Sequence, residues 1–338
     1  MERVARGKYT LIETSVKPEG IESEKYETTR KPHIKISELD FLINGPCEDN
    51  MIEVYSSKRL SFEPKGELLE MRDELRNRLK LLSGENRNLH AIYKSLDNGF
   101  FDVENVLFYN VGLSAFSHLD IKTLLFERVF LPPPQCNEER FEHYQSYALT
   151  YQNGCESSHW QRHSILAKWE GVPIPILKSD IKPHSIWFSL KNGKRVIFQS
   201  EKTSSYGLKL TINEPKDSRI KVVTILKPLL DGIVSAFHHH DKTDLNEVIF
   251  RLKKLISIPE EEITQALLDV RTSILGVRNF VQLYRDNIKW NPEDDAFHYV
   301  KIKIKSSKLD EYSIDGEIFS LEKNTAKISN IGRNYETK

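Results

Sequence analysis

The chain is poor in cysteine and has no long apolar run, and each shortage argues against a class of protein. Its 338 residues include three cysteines, Cys47, Cys136 and Cys155, without metal-ligand spacing, which argues against a disulfide framework or a zinc module. No apolar stretch reaches the roughly 18 residues of a membrane span. The start of the chain lacks the apolar core of a secretory signal. We therefore expect a cytoplasmic protein without a membrane segment.

Net charge and the common catalytic signatures are also missing. Lysine and arginine together number 49, as do aspartate and glutamate, so binding to a polyanion through overall charge is not expected. A glycine-rich phosphate loop, a Ser-His-Asp order and a dinucleotide-binding fingerprint are all absent from the sequence. What is present is 39% hydrophobic residues, enough for one large or two ordinary domains. Motifs alone leave enzymatic activity uncertain.

Changes of pattern along the chain divide it into two mixed halves, and we expect an α+β fold. Each half is predicted to be an antiparallel sheet with flanking helices, and the second half to carry a helical insertion. The predicted segments are a flexible N-terminal arm at 1–33, an N-terminal half at 34–134, an aromatic and proline-rich connection at 135–185, a C-terminal half at 186–310 with the insertion at 241–288, and a polar tail at 311–338.

Hydrophobic periodicity predicts the main elements. Alternation indicates a strand over Ile34 to Asn44, and leucines at helical spacing indicate an amphipathic helix between Gly66 and Leu82. Three further runs are rich in β-favouring residues and are predicted to be extended: Phe100 to Phe108, Trp187 to Leu190 and Arg219 to Leu226.

Two short segments resemble each other. Ser114 to Asp120 matches Ser235 to Asp241 at five of seven positions without a gap, and each follows a β-prone run. Chance explains some short matches of this kind, and the alternative is a duplicated strand-turn-helix unit. If the unit is duplicated, Asn110 takes the place of Asp231, and an acidic site in the second half is weakened in the first.

Three carboxylates of the second half are candidate metal ligands. Asp231 is predicted to stand where a strand ends and a helix begins, so it either caps that helix or binds a hard cation such as Mg²⁺. Asp294 and Asp295 precede a predicted strand at Tyr299 to Lys305 and either cap a turn or join Asp231 at one site. Pairing of that strand with Ile220 to Leu226 would bring the three carboxylates together.

Basic residues are concentrated locally. Residues 191 to 227 contain nine Lys or Arg against three acids, and Lys227 ends this region. Lys301, Lys303 and Lys305 alternate with apolar residues and so share one side of their strand. A solvated strand face explains such a stripe, and the alternative is a surface that binds phosphates.

The second half, over residues 205 to 305, resembles Holliday-junction resolvases of the RusA type. That family shows a strand, a Lys/Pro-Asp-x-Asp-Asn turn leading into a helix, and a paired Asp before a basic strand. In this chain Lys227-Pro228 introduces the turn, Asp231 matches its second Asp, and Asp294 or Asp295 matches the downstream acid, whereas Leu229 and Gly232 replace the first Asp and the Asn. Asp102-Val103-Glu104-Asn105 loosely follows the same layout in the first half, where no metal site is expected.

The resemblance implies a nucleic-acid-processing protein with a Mg²⁺-dependent phosphodiesterase site. Asp231, Asp294 and Asp295 would then be the catalytic residues and metal ligands, and Lys227, Lys301, Lys303 and Lys305 would bind the nucleic acid. The alternative is a non-catalytic interaction subunit of a multi-component bacterial assembly, such as a phage-defence complex, that binds a protein partner or a second copy of itself. The replaced Asp and Asn favour this alternative, and convergence of the three carboxylates would favour the first.

Overall fold

The computed structural model describes most of the chain from residue 35 to residue 324. The described residues are 35–36, 40–46, 50–84, 87–136, 139–150, 157, 159–175, 177–178, 180–198 and 203–324. The arm expected at 1–33 lies outside them, as does the end of the expected tail.

Five α-helices and sixteen strands make up this part of the chain. The helices are α1 (Glu67–Leu79), α2 (Pro183–Asn192), α3 (Val222–Ser235), α4 (Leu245–Leu255) and α5 (Glu260–Leu268). The strands are β1 (Lys35–Ile36), β2 (Phe41–Asn44), β3 (Met51–Ser56), β4 (Arg87–Lys94), β5 (Ile121–Val129), β6 (Glu139–Arg140), β7 (His143–Thr150), β8 (Trp160–Pro173), β9 (Arg195–Ile197), β10 (Tyr206–Glu214), β11 (His239–His240), β12 (Val277–Arg278), β13 (Val281–Tyr284), β14 (Asn287–Trp290), β15 (Phe297–Ser306) and β16 (Ser313–Lys323). No helix of the described part combines the length and apolar character needed to cross a membrane.

Ten strands form one mixed sheet, in the order β2-β3-β7-β4-β5-β15-β10-β16-β8-β9. The α+β class predicted from the sequence is confirmed, but the prediction of an antiparallel sheet in each half is wrong, because both halves share this one sheet and it contains parallel pairs. At its centre β5 and β15 pair antiparallel. On each side the next strand outward is parallel to its central neighbour, β4 to β5 and β10 to β15.

The two halves of the sheet have the same topology. From the centre outward, β5, β4, β7 and β3 correspond to β15, β10, β16 and β8, with the same parallel and antiparallel pairings. The chain order also agrees, because α1 lies between β3 and β4 and α2 lies between β8 and β10. A helical connection follows in both halves: α3 after β10, and a short π-helix (Asn105–Tyr109) with a 3-10 turn (Leu113–Phe116) after β4. The described part of the chain is therefore arranged about an approximate two-fold axis between β5 and β15.

Two of the predicted boundaries need correction. The connection expected at 135–185 contains β7 and all of β8, both of which are strands of the main sheet. The tail expected to be peripheral contains β16, which pairs with β10 and β8 and buries Ile314 and Ile318. Asp315 and Glu317, between these apolar residues, are half-buried and contact polar groups of neighbouring strands. They made the local composition polar, so the strand was not recognised from the sequence.

Three segments predicted to be extended are helical instead. Phe100 to Phe108 enters the π-helix, Trp187 to Leu190 lies in α2, and Arg219 to Leu226 runs into α3. Most residues of α3 are buried, and the helix begins with β-branched residues (Val222, Val223, Thr224 and Ile225) whose local preference is for extended structure. Pro228 lies inside α3, where proline is normally avoided, and this further concealed the helix.

The helices cover one face of the sheet. One core joins Leu75 of α1, Trp187 of α2 and Leu229 of α3 to strand residues such as Leu124 and Val300. Helices α2 and α3 pack closely, and Gly232 allows the approach: a Cβ at this position would lie 2.6 Å from Ile186 Cβ and 2.7 Å from the Pro183 carbonyl oxygen.

Replacing Gly232 with alanine tests this contact. Alanine normally stabilises a helix interior by about 1 kcal/mol over glycine, but the clash with a backbone oxygen and a branched Cβ costs about 1–3 kcal/mol. We expect Gly232→Ala to lower the free energy of unfolding in chemical denaturation. Gln265→Ala, at an exposed position of α5, is the control and should be nearly neutral. A Gly232→Ala protein more stable than the parent would contradict the close packing.

Candidate metal centre

Four carboxylates and one lysine meet at one edge of the sheet. Asp102 and Glu104 follow β4, and Asp294 begins a 3-10 turn that leads into β15. Because β5 is parallel to β4 and antiparallel to β15, the end of β4 and the start of β15 lie at the same edge. Lys227 and Asp231 come from α3, where a spacing of four residues places them on one side of the helix.

Lys227 lies in the middle of the carboxylates. Its Nζ atom is 3.0 Å from Asp102 Oδ2, 3.0 Å from Glu104 Oε1, 3.1 Å from Asp231 Oδ1 and 2.5 Å from Asp294 Oδ2. Glu104, Asp231 and Asp294 are buried, and Asp102 is half-buried. We call these four carboxylates, together with Lys227, the acidic centre.

The acidic centre holds more negative than positive charge. Burial, followed by the charge of Asp294, raises the pKa of Asp102 to about 6 against the opposing effect of Lys227. Burial also raises the pKa of Glu104 well above its usual range and raises that of Asp231. Burial lowers the pKa of Lys227, but the surrounding carboxylates, Glu104 foremost, outweigh this and raise it. The lysine is therefore charged, and burial favours the protonated forms of Asp102, Glu104 and Asp231.

Neighbouring groups hold Asp102 in position. Asn105 donates from Nδ2 to Asp102 Oδ2 at 2.5 Å. The loop before Asp102 is fixed by Arg128, whose Nη2 donates to the carbonyl oxygens of Asp97 at 2.8 Å and Gly99 at 2.9 Å. The carboxylate is thus placed by the protein before any ligand arrives.

Three members of the acidic centre can hold a metal ion. Asp102, Glu104 and Asp294 each offer one oxygen, and these oxygens lie within 4.8 Å of one another. Hard divalent cations take carboxylate oxygens, and protons compete with them for the same atoms. Asp231 adds a buried Oδ1 that makes no hydrogen bond, although it lies near the Lys227 ammonium. The donor set and its excess negative charge both suit a divalent cation.

The structure brings together two of the three carboxylates predicted as ligands. Asp231 and Asp294 share the Lys227 ammonium, whereas Asp295 lines a neighbouring cavity of about 280 Å³ with Arg128 and His298. Asp231 also stands one turn before the end of α3, so it does not cap the start of a helix as the sequence allowed. The strand at 297–306 pairs with β10 and β5, and residues 222–226 are helical, so the predicted pairing is wrong although the two aspartates still meet.

The lysines predicted to bind nucleic acid occupy two different places. Lys227 lies inside the acidic centre. Lys301, Lys303 and Lys305 alternate along β15 with Ile302 and other core residues, so they lie on the sheet face opposite the helices. Their stripe is therefore on the other side of the sheet from α3 and the acidic centre.

Asp102 and Glu104 are the site residues that sequence reasoning set aside. Their signal was the Asp-x-Glu-Asn segment, which follows a strand and opens a helix, as a metal-binding turn does. The second half lacks such acids at the start of α3, and the first half lacks a lysine or acid within its helical connection at 105–116. Neither half alone contains a full set of site residues, and the acidic centre is formed from residues of both halves.

Comparison with known proteins adds no relative. Neither a protein-family model, nor a curated protein, nor a solved structure matches the chain.

Removing the central ammonium should destabilise the protein in a pH-dependent way. Lys227→Met leaves buried carboxylates without their counter-charge, a change that typically costs about 3–5 kcal/mol. Because the pKa of Asp102 is raised to about 6, protonation relieves the repulsion as the pH falls. We expect chemical denaturation to show a larger loss at pH 7.5 than at pH 5.0. Lys253→Met removes an exposed ion pair with Glu260 and should cost less than about 1 kcal/mol at either pH. Equal, small losses from both substitutions would contradict the account.

A divalent cation should stabilise the folded protein, and more so at higher pH. A ligand that binds the folded state at 100 times its Kd adds about 2.7 kcal/mol. Because its pKa is raised to about 6, Asp102 carries a proton at pH 5.0 and is ionised at pH 7.5. We expect Mn²⁺ to raise the melting temperature more at pH 7.5 than at pH 5.0, and Asp102→Asn to abolish the difference. Asp286→Asn, in an exposed turn, is the matched control. The same Mn²⁺ effect in the Asp102→Asn protein would place the ion elsewhere.

Proposed function

We propose that the chain is a metal-dependent phosphodiesterase that acts on nucleic acid, with Mg²⁺ as its natural ion. The observation that carries this proposal is the acidic centre beside a cavity: Asp102, Glu104 and Asp294 within ligand distance of one another, with Lys227 among them. Carboxylates combined with a lysine are suited to a reaction in which negative charge develops on phosphate oxygens. This function is the one that the RusA-type resemblance implies, but Asp102 and Glu104 take the place of Asp231 and Asp295 among the metal ligands.

The residues have distinct roles in the proposed reaction. Hydrolysis joins the oxygen of one water to phosphorus, breaks one P–O ester bond and transfers one proton from the water to the leaving oxygen. A divalent ion, when bound, lowers the pKa of water and offsets charge on the phosphate. Asp102, Glu104 and Asp294 would hold that ion. Lys227 would donate to a phosphate oxygen, and Asp231 would hold the lysine in place.

The surroundings of the acidic centre suit a nucleotide chain. The cavity that Asp295 lines also contains Arg128, Tyr206 and Phe100, close to the loop that leads to Asp102. Phe100 is 92% exposed, although a large aromatic side chain is normally buried. Exposed aromatic rings and arginines are the groups on which unpaired bases stack. Phe100 would stack on a base next to the phosphodiester that is cut, whereas Arg128 and Tyr206 are buried and form part of the cavity wall.

Cleavage assays test the proposal directly. Labelled single-stranded, duplex and branched DNA and RNA would be incubated with the protein and Mg²⁺ or Mn²⁺. We expect metal-dependent cleavage that falls by at least about 100-fold in Asp102→Asn, a loss of the size found when one group that stabilises the transition state is removed. Phe100→Ala should weaken substrate binding while leaving Mn²⁺ binding intact, because Phe100 offers the ion no ligand. Asp286→Asn should cleave like the parent.

The same assay separates the proposal from the non-catalytic alternative. An interaction subunit would show no cleavage with either ion, and its Asp102→Asn variant would differ from the parent in stability alone. That result would remove the enzymatic proposal.

A further inference from the structure

The two-fold arrangement of the sheet predicts a second position equivalent to the acidic centre. The two helical connections can be compared by aligning their starts. Asp102 immediately precedes the helical segment that begins at residue 103, and Lys221 immediately precedes α3. This alignment pairs Asp102 with Lys221, Glu104 with Val223, Lys227 with Phe108, and Asp231 with Gly112. Asp231 thus corresponds to Gly112 and not to Asn110, the partner predicted from the two similar sequence segments.

Contacts in the structure support this alignment. Asp102 lies near Asp294, just before β15, through their shared contact with Lys227. Lys221 Nζ lies 3.4 Å from the carbonyl oxygen of Leu119, just before β5. Since β5 and β15 are the two central strands, both contacts join the start of a helical connection to the start of the equivalent strand.

The equivalent position has lost the chemistry of the acidic centre. Its residues are Lys221, Val223, Phe108 and Gly112, and both Val223 and Phe108 are buried. Gly112 packs against a cation, because a Cβ there would lie 2.5 Å from Arg76 Nη2. Among the residues that the structure describes, the only group of three or more acids, histidines or cysteines within ligand distance is Asp102, Glu104 and Asp294. The equivalent position has one nearby carboxylate, Asp120 just before β5, which pairs with Lys122, and its other residues are basic or apolar.

We infer that one chain carries one cleaving centre, built from both halves, and therefore cuts a single strand of a double-stranded substrate per binding event. This inference rests on the proposed function and specifies its product. Each event consumes one water and leaves one phosphate monoester and one hydroxyl at a nick. A protein with two equivalent centres about a two-fold axis would instead cut both strands within one complex.

The product on a closed circular substrate tests the inference. The probe is a supercoiled plasmid with an extruded inverted repeat, which offers duplex, unpaired bases and a four-way branch on one molecule. The protein would be used with Mg²⁺ or Mn²⁺ at a concentration where light scattering shows a monomer. We expect nicked circles to accumulate first and linear DNA to follow later through independent nicks. Linear DNA that forms without a nicked intermediate would overturn the inference and leave the proposed function intact.

A count of bound ions tests the inference without cleavage. Electron paramagnetic resonance of Mn²⁺ titrated into the protein reports free and bound ion. We expect all tight binding to disappear in Asp102→Asn and to be unchanged in Asp120→Asn, whose carboxylate lies just before β5 near the equivalent position. Tight binding that survives in Asp102→Asn would reveal a second site and overturn the inference. Absence of both Mn²⁺ binding and cleavage in the parent protein would remove the proposed function, and the inference with it.

Discussion

The structure of the site depends on the attraction between one buried ammonium and the carboxylates around it. Burying a lone carboxylate is unfavourable, and Lys227 makes it tolerable for Asp102, Glu104, Asp231 and Asp294. The same ammonium gathers segments that are far apart in the chain: the end of β4, the helix α3 and the turn before β15. Since one positive charge does not balance four negative ones, the centre takes up protons or a cation. A centre that is both rigid and short of positive charge is well suited to bind a divalent ion.

The approximate two-fold symmetry of the sheet explains why this charge arrangement occurs at one position. The central pairing of β5 with β15 brings the first half's Asp-x-Glu-Asn segment against the second half's α3. Each half supplies a different part of one site: the first contributes Asp102 and Glu104, and the second contributes Lys227, Asp231 and Asp294. At the equivalent position, Lys221 stands where the acidic centre has Asp102, and Phe108 stands where it has Lys227.

The sequence predicted the α+β class and the helix α1, because hydrophobic period is encoded within short windows. It also predicted that Asp231 and Asp294 meet, although through a strand pairing that the structure does not contain. It could not predict the part of the site that depends on pairing between halves. Asp102 lies more than one hundred residues from Lys227, and no local pattern specifies that β5 pairs with β15. Asp295 was misassigned because successive residues of a 3-10 turn point about 120° apart, so Asp294 and Asp295 face different surroundings. α3 was mistaken for a strand because the β-branched residues at its start favour extended structure locally, and packing in the core outweighs that preference.

Anomalous diffraction from crystals grown with Mn²⁺ would test the central claim, that the composite acidic centre is a divalent-cation site. The account predicts a peak with Asp102, Glu104 and Asp294 oxygens at roughly 2.1 Å, a typical distance for a hard divalent ion, and Lys227 still beside the site. It also predicts no peak at the equivalent position near Lys221 and Gly112. A crystal whose acidic centre stays without manganese at neutral pH, or whose manganese lies at Asp295, would contradict it.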